Sequence, residues 1–496
     1  MKFANKALLA AVIAGSAVMA GCGSDSGSSA EETALTALVK RNPLTQATDS
    51  CESLGGIFEH KDATAEKAEV NECLLTGRIT ATGATLDKDT TYILSGMVKL
   101  GYGDVKLAKD SDVEWLNDHP VNLTIPAGTQ IKGQAAAAFV VTRGAHLTAE
   151  GTAAAPVVFS SADEDMVNSG EWGGLVLQGF GITNQCPDTG LCNILGEGGV
   201  GYYGGDDNTD NSADLKYVVV TEGGYAVSPD NELNGVSFQG IGSGTSVDYL
   251  QVNDNADDGV EFWGGAVVVK HLVITDAEDD SIDWDQGFVG GVQYAIVRQN
   301  LAADAVANKL ADKGIESDND GDSMDNDPRS MPTIANVTFS LNAQTTGVLH
   351  REGTGAKVFN SIVFGAKKCY DIDDQATKDQ IDTNLIHSNI IAKCTHASGD
   401  TDSAKDKDGI VIPSSVEEVE YAKTLLESSV SSINTAATGT LDADYTWSVD
   451  AEVTNKTFTA ANSAITSESY VGAVDPAASS FWYAGWTVSN SVVLPN

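Results

Sequence analysis

Short segments of alternating apolar and polar residues recur along the middle of the chain. Several carry Tyr, His or Asn at the third position, at residues 215–220, 247–252, 269–274, 292–297, 334–339, 358–363 and 385–390. Neighbouring segments start about 22 to 32 residues apart, except for one double interval between Tyr294 and Asn336. A second series runs in phase with the first, at residues 236–238, 260–262, 282–284, 315–317 and 348–350. Two strands in each repeat of twenty-odd residues, joined by glycine-containing turns, predict a β-solenoid.

The alternation also predicts which side chains face inward. Successive side chains of a strand point to opposite faces, so one residue of each pair lies inside the coil and the next on its surface. Earlier segments at residues 122–133, 138–147, 156–159 and 172–177 fit the same scheme. A β-sandwich is the competing fold because it also has many short strands, but it gives no reason for a coil-length period. We therefore expect an all-β fold, a right-handed parallel β-helix, since that hand is the commoner one for irregular coils of this length.

The two ends of the chain differ from the repeat, as caps over the ends of a solenoid should. The expected division is a signal peptide at residues 1–21, a lipidated flexible tether at 22–50, an N-terminal cap region at 51–120, the β-helix at 121–400 and a mixed C-terminal cap at 401–496. In the last region, residues 415–418 read as a capping box, which predicts one helix. The aromatic residues at 481–486 are expected to pack on the final coil, with a carbohydrate platform as the alternative.

The first residues have the pattern of an export signal. Lys2 and Lys6 precede a small and apolar run at residues 7–20, which is too short to span a bilayer. The run ends in Met-Ala-Gly-Cys, which resembles the bacterial lipobox, although Leu is the usual first residue. We expect cleavage before Cys22 and a lipid anchor on that cysteine, with an ordinary secretory peptide as the alternative. The next residue, Gly23, favours the outer membrane by the sorting rule of enteric lipoproteins.

The cysteine count supports export. The sequence has seven cysteines, and Cys22 accounts for the odd one if it carries lipid. The other six lie in three sequence-local pairs, which an oxidising compartment would close as disulfides. Proximity therefore predicts the pairs Cys51 with Cys73, Cys186 with Cys192, and Cys369 with Cys394. Free buried thiols are the alternative.

The charge of the chain is strongly negative. There are 29 basic and 70 acidic residues, and the formal net charge is −41. Such a surface repels phosphate backbones, so the sequence argues against nucleic-acid binding. It attracts divalent cations instead. After residue 20 no apolar run is long enough for a transmembrane helix, so the lipid is the expected anchor.

Several glycine- and acid-rich motifs carry a family resemblance. They lie at residues 172–177, 203–207, 210–212, 215–224, 232–236, 257–265, 314–319, 470–476 and 484–487. Together they resemble a widespread group of bacterial surface lipoproteins with a pectin-lyase-like β-helix, over roughly residues 85–490. The resemblance implies that fold and a surface location on the outer membrane. Most members have no known activity, and some are found beside TonB-dependent receptors, so the resemblance implies little about chemistry.

Carboxylates form the most specific chemical pattern in the sequence. A group at residues 257–263 aligns with one at 279–285 at a spacing of 22, and a third group follows at 316–322. Equivalent positions of successive coils stack about 4.8 Å apart, where carboxylates repel unless they are protonated or bridged by a cation. Ca2+ prefers roughly six to eight oxygen ligands from Asp, Asn and backbone carbonyls. The predicted calcium ligands are therefore Asp257, Asp258, Glu261, Asp279, Asp280, Asp283, Asp285, Glu316, Asp318, Asp320, Asp322 and Asp327.

The third acidic group approximates the calcium-binding loop of an EF-hand. Glu316, Asp318, Asp320, Gly321 and Asp327 follow its spacing, although Glu at the first place and Asp at the last depart from the pattern. Because a flanking helix pair is not expected inside a solenoid, the pattern favours a calcium-binding loop without an EF-hand around it. A solvated turn in a very acidic protein is the alternative.

Two classes of function fit these features. The first is a calcium-stabilised binding or adhesion protein on the outer-membrane surface, serving a TonB-dependent receptor or binding a glycan. Trp263 and Trp284, expected to stack on adjacent coils, are the candidate ligand contacts, with a place in the coil core as the alternative. The second is a surface polysaccharide lyase or glycoside hydrolase. Lyases on parallel β-helices combine calcium with a basic residue, for which His350 and Arg351 are candidates, whereas glycosidases use carboxylate pairs. Chance carboxylate pairs are abundant in so acidic a chain, so the sequence favours binding.

Overall fold

The structure is a computed structural model and is built mainly of parallel strands. It describes residues 32–64, 68–163, 168–187, 191–227, 232–299, 311–398, 404–405, 411–412, 432–434, 440–443, 445–446, 463–489 and 492–493. Successive strands wind through three sheets, and each strand pairs in parallel with its equivalent in the next coil. The predicted all-β parallel β-helix is confirmed.

The first and second sheets share their long strands. Ala213–Thr221, Ser246–Asn255, Val268–Ala277, Gly291–Arg298, Thr333–Ser340 and Leu385–Lys393 contribute their first halves to one sheet and their second halves to the other. The first sheet is completed by Ala84–Thr85, Val121–Pro126, Ala145–Glu150 and Ala356–Phe359. The second is completed by Gln130–Gly133, Val157–Ser161, Ile362–Phe364 and Ser432–Asn434.

The third sheet consists of shorter strands and carries the acidic residues. Its strands are Ala138–Val141, Gly174–Gln178, Val236–Gln239, Val260–Trp263, Ile282–Asp285, Lys313–Ile315, Thr346–His350, Lys368–Ile372 and His396–Ser398. Val70–Ile79 and Thr90–Leu100 begin in the second sheet, and the end of Thr90–Leu100 pairs with the first strand of the third.

The column of Tyr, His and Asn found in the sequence marks the corner between the first and second sheets. Tyr217, Tyr249, His271, Tyr294 and Asn336 have φ of 48°, 58°, 48°, 60° and 54°. This left-handed conformation breaks the extended run and turns each long strand into the next sheet, and it is uncommon for residues other than glycine. The last repeat departs from the prediction, because its corner is at Asn389 and His387 points into the core.

The N-terminal boundary lies earlier than the sequence indicated. Parallel pairing of the long strands begins at Val70–Ile79 and not at residue 121, and the short strand Thr45–Gln46 also pairs in parallel. Part of the expected flexible tether is also ordered, because the helix Ala34–Arg41 buries Leu35 and Leu38 in the main core. Burial of two leucines on one face holds such a short helix, which would be unstable alone.

The remaining N-terminal elements close this end of the stack. The 3-10 turn Cys51–Leu54 precedes the strand Ile57–Lys61, which pairs antiparallel with Val70–Ile79. Thr45–Gln46 pairs with Ala81–Thr82, and the helix Asp110–Asp118 leads into the first sheet.

Further short elements are the helix Gln375–Lys378, the 3-10 turn Glu197–Gly199 and the strand pairs Ile194–Leu195 with Tyr202–Tyr203, Ala404–Lys405 with Val411–Ile412, and Val488–Ser489 with Val492–Val493.

The C-terminal aromatic segment packs along the side of the stack and not on the final coil. The Trp486 ring contacts Tyr217 edge-on at 5.5 Å, and the Trp482 ring contacts His271 at 5.0 Å. At the corner column, the stacked rings of Tyr217, Tyr249 and His271 provide aromatic surface against which the two indoles pack edge-on. The helix predicted after residue 415 lies outside the described residues.

All three predicted disulfides are present. They join Cys51 to Cys73, Cys186 to Cys192, and Cys369 to Cys394. Cys22 lies outside the described residues. None of the helices in the described ranges is both long enough and apolar enough to cross a membrane.

Candidate metal centre on the third sheet

Strand register aligns the predicted acids into columns. Glu261 is the register partner of Asp283, as the spacing of 22 predicted. Because Ile282 pairs with Ile315, Glu316 continues this column in the next coil. Asp285 lies two residues after Asp283 on the same face, and its equivalent in the next coil is Asp318.

A parallel column lies in the turn just before these strands. Backbone N–H groups of Gly235, Gly259 and Ser281 donate to the carbonyls of Asp258, Asp280 and Lys313 in turn. Asn234, Asp258, Asp280 and Lys313 therefore hold equivalent places in four coils. Asn234 is not among the ligands predicted from the sequence, although its position before the strand Val236–Gln239 matches that of Asp258 before Val260–Trp263.

Two groups of carboxylates converge closely, and they share one residue. One oxygen each from Asp258, Glu261 and Asp283 lie within 4.8 Å of one another. The same holds for Asp257, Asp258 and Asp279. A third convergent group, Asp279, Asp280 and Asp312, lies where Lys313 supplies an ammonium. We call the five residues of the first two groups, Asp257, Asp258, Glu261, Asp279 and Asp283, the acidic cluster.

Several oxygens in and beside the acidic cluster are buried without a partner. In the described part of the chain, no donor reaches Oδ1 of Asp283, Asp280 or Asn234. Asn234 is 1% exposed, and its amide Nδ2 donates to Glu261 Oε2 at 2.6 Å. The buried Asn234 therefore lies against the cluster with a free carbonyl oxygen. A buried unpaired acceptor is costly, so a ligand that accepts its lone pair would be stabilising.

The acidic cluster is electrostatically frustrated. Burial raises the pKa of Asp258, Glu261 and Asp283 well above the ordinary range, and the neighbouring carboxylates raise it further. Burial and nearby acids also raise the pKa of Asp257 to about 7. Two unit charges at this separation repel by roughly 3 kcal/mol at an effective dielectric constant of about 20. At neutral pH the cluster must either keep protons or bind cations.

The following coils supply basic side chains beside their own acids. Lys313 Nζ lies 3.3 Å from Asp280 and 3.1 Å from Glu316, and the Arg351 guanidinium donates to both oxygens of Asp318 at 2.9 and 3.0 Å. Burial alone would raise the pKa of Glu316, but the hydrogen bond with Asp280 and the charges of Lys313 and Arg351 lower it to about 2. Lys313 and Arg351 thus supply positive charge beside these acids, although burial still raises the pKa of Asp318 to about 8 and that of Asp280 well above its ordinary range.

In the loop that approximates an EF-hand, groups of the loop itself donate hydrogen bonds to the Asp320 carboxylate. Asp320 Oδ1 accepts from the backbone N–H groups of Asp322 and Ser323, and Oδ2 accepts from Asn326 Nδ2 at 2.5 Å. Asp322 and Asp327 are exposed. The structure therefore does not bring these predicted ligands together with the acidic cluster.

The two candidate tryptophans lie on opposite faces of their strands. Trp284 pairs in register with Phe262, is fully buried and donates from Nε1 to Thr354 Oγ1 at 3.1 Å. Trp263 pairs with Asp285 on the outward face and is 8% exposed. The tryptophans therefore do not stack on each other, and Trp284 is a core residue.

The candidate base His350 is inaccessible. It is fully buried, and burial lowers its pKa to about 3. Its Nδ1 lies 2.7 Å from Ser317 Oγ and its Nε2 lies 3.1 Å from His387 Nε2, whose ring also contacts the Tyr370 hydroxyl at 3.2 Å. This hydrogen-bonded chain fills the coil interior, so His350 is placed away from any substrate on the surface.

The loop before residue 205 places two further side chains near the acidic cluster, Glu197 and Tyr203, which were not among the predicted site residues. Burial, with Asp257 and Glu232 beside it, raises the pKa of Glu197 to about 8. The Tyr203 hydroxyl donates to Gln286 Oε1 at 2.7 Å. Glu197 belongs to an insertion that does not follow the repeat. The spacing of the strand segments therefore could not predict its place beside the cluster.

Comparison with known proteins returns one relationship. The family model described as "Pectate-lyase like beta helix domain" matches residues 111–487. Neither the curated proteins nor the solved structures contain a match.

Proposed function

The chain belongs to the family of pectate-lyase-like beta helix domains, and from this premise we propose that it is a calcium-stabilised binding or adhesion protein. The observation that carries the proposal is the convergence of Asp258, Glu261 and Asp283 within 4.8 Å. In the described ranges neither Asp258 nor Glu261 has an ion pair with Lys or Arg, in contrast to Asp280 and Glu316. A divalent ion is the simplest source of the missing positive charge.

Calcium suits this donor set better than other common ions. The ligands on offer are carboxylate oxygens and the amide oxygen of Asn234, all hard donors, with neither thiolate nor imidazole in the cluster. Ca2+ tolerates irregular geometry with roughly six to eight oxygens, whereas Mg2+ demands a near-octahedral shell of about six and gives up water reluctantly. Side chains fixed to rigid β-coils favour the more tolerant ion.

The proposal extends to the location of the protein. The lipobox resemblance at Cys22 supports a lipid anchor, and Gly23 supports the outer membrane. The partners that we propose are a glycan or a TonB-dependent receptor, engaged by the outward face around Trp263. Replacing Cys22 by Ser should move the protein from the membrane fraction to the soluble fraction and remove the lipid from its intact mass. An unchanged mass would contradict the anchor.

A glycan-cleaving enzyme is the second candidate. Burial raises the pKa of Asp285 to about 7, which would suit a general acid. Against it, Arg351 is engaged by Asp318 and Glu316, so it is not poised as a free base. Incubation with polyuronates and neutral glycans, with and without EDTA, separates the two. Calcium-dependent cleavage that is lost in Arg351→Ala would replace the binding proposal.

The metal proposal has a direct test. Protein stripped with EGTA should gain several degrees in Tm when calcium is added, and Asp283→Ala should abolish the gain. Asp214→Ala is the matched control, because Asp214 lies on the first sheet beside His146 and should leave the gain intact. A wild-type Tm that does not respond to calcium would rule the metal out.

A further inference from the structure

The column of acids on the third sheet ends at Ser237. This residue is the register partner of Glu261, which pairs in turn with Asp283, so a small uncharged side chain replaces the carboxylate in the preceding coil. Asn234, with its buried and unpartnered Oδ1, lies in the turn before the same strand. We call Asn234 and Ser237 the uncharged edge of the acidic cluster. Both are 1% exposed, so other parts of the chain cover them.

The turn Glu197–Gly199 lies on this uncharged edge. Gly196 packs against the Gln239 side chain, and Gly198 packs against Leu233, in both cases with no room for a Cβ. Gln239 comes two residues after the uncharged edge and Leu233 one residue before it. The turn therefore crosses the coil at the edge, with Glu197 between its two points of contact.

The base of the insertion that carries this turn, residues 192–204, is fixed. Nη1 of the fully buried Arg143 donates to the carbonyl oxygens of Cys192 and Gly204 at 3.1 and 3.0 Å. At the tip, Glu197 is half-buried, and no residue of the described ranges donates a hydrogen bond to its carboxylate or pairs with it as a cation. Its charge also raises the pKa of Glu261. An unpaired acid held against other acids is costly unless a cation lies between them.

The site beside the turn has room for one more ligand. Asp258, Glu261 and Asp283 each contribute one oxygen within 4.8 Å of the others, and the free Oδ1 of Asn234 is a fourth donor. Ca2+ prefers roughly six to eight oxygens. Since Asp283 approaches from the following coil, a carboxylate of the turn would complete the shell from the preceding one.

We propose that Glu197 is a further ligand of the ion held by Asp258, Glu261 and Asp283, so that the ion ties the insertion to the coil stack. This inference rests on the proposed calcium function and deepens it. Without the ion, Arg143 fixes only the base of the insertion, and the tip is repelled by the acids below it. With the ion, the same acids and Glu197 share one cation.

Terbium tests whether Glu197 is a ligand. This ion replaces calcium at oxygen sites, and its luminescence lifetimes in H2O and D2O count the water molecules bound to it. In the full-length protein stripped of metal, Glu197→Gln should raise that count by about one or two, because water replaces the lost carboxylate oxygens. It should also weaken calcium at least tenfold in a calorimetric titration.

Glu232→Gln is the matched control. It removes a neighbouring carboxylate whose charge acts on Asp257 and Asp279, and it should leave the water count unchanged. Circular dichroism establishes that both variants are folded. An unchanged count in Glu197→Gln, or an equal rise in Glu232→Gln, would overturn the inference and leave the calcium proposal standing.

Hydrogen exchange tests the tie to the insertion. Calcium should slow exchange of the amides at residues 196–201 at least tenfold in the wild type and leave it unchanged in Glu197→Gln. Protection that persists in the variant would show that this ligand does not hold the insertion, and would overturn the inference. A wild type that binds neither calcium nor terbium would overturn the calcium proposal as well.

Discussion

Two columns of stacked side chains on the same solenoid differ in whether the stacking is favourable. At the corner of the first and second sheets, the rings of Tyr217, Tyr249, His271 and Tyr294 stack at centroid distances of 4.3, 4.4 and 4.9 Å. On the third sheet, carboxylates stack at a similar repeat. Aromatic rings attract at this spacing and like charges repel. The same coil geometry therefore stabilises one column and destabilises the other.

The two columns also differ in what covers them. The chain's own C-terminal segment lies over the aromatic corner, where Gln251 bonds to the backbone of Val488 and Gln293 to that of Thr466. Nothing in the described residues supplies the acidic cluster with an equivalent cover of basic groups, and the nearest cations belong to Lys313 and Arg351 on the following coils. The chain's own C-terminal segment thus covers the aromatic column. The acidic cluster has no such cover, which favours a bound cation as the group that neutralises it.

The largest expected effect comes from uncovering the aromatic corner. Trp486 is 3% exposed and contacts both Tyr217 and Tyr249. Trp486→Ala should lower the free energy of unfolding by about 3 to 5 kcal/mol, the usual cost of removing a buried large aromatic side chain. Denaturant unfolding measures it, and the loss should be equal in calcium and in EGTA. A loss that depends on calcium would show that the two columns are not independent.

A charge-removing substitution in the acidic cluster should act in the opposite direction. Without calcium at pH 8, Asp258→Asn should raise the free energy of unfolding by roughly 1 to 3 kcal/mol, because it removes repulsion from Asp283 and Asp280. It should also suppress the rise in Tm on adding calcium. Denaturant unfolding in EGTA checks the sign, and a destabilised variant would mean that Asp258 is a structural acceptor only.

The pH dependence of the calcium-induced rise in Tm follows from the raised pKa values of the cluster carboxyls. For carboxyls whose folded pKa lies above the unfolded value, stability is fully present below pH of about 4 and is lost as pH rises through the folded pKa. Asp257 and Asp279 have pKa values raised to about 7 and about 6. The calcium-induced rise in Tm should therefore be larger at pH 8 than at pH 5. Equal rises at both pH values would contradict the carboxylate site.

The smallest effect is expected where the chain supplies its own cation. Asp318→Asn leaves Arg351 paired with Glu316, and because burial raises the pKa of Asp318 to about 8, loss of its charge should change the free energy of unfolding by only about 1 kcal/mol. The response to calcium should persist. Thermal melts with and without calcium check this, and a lost response would place Asp318 among the metal ligands, as its sequence motif predicts.

Structural features that repeat once per coil could be predicted from the sequence. The periodic segments predicted the β-helix, the Tyr, His and Asn column marked the sheet corner, and the spacing of 22 placed Glu261 beside Asp283. Local cysteine spacing predicted the three disulfides correctly. These features depend only on the strand period and the coil length, which a sequence records directly.

The tertiary structure alone decided which acids remain without a cation. Arg351 and Lys313 lie 33 residues after Asp318 and Asp280 in the sequence, and register places them beside these acids. It also placed Trp284 inside the coil and brought Glu197 to Asp257 through an insertion that follows no repeat. Alternation predicts that neighbouring residues face opposite ways, but only packing fixes which face is the core and which segment covers the other.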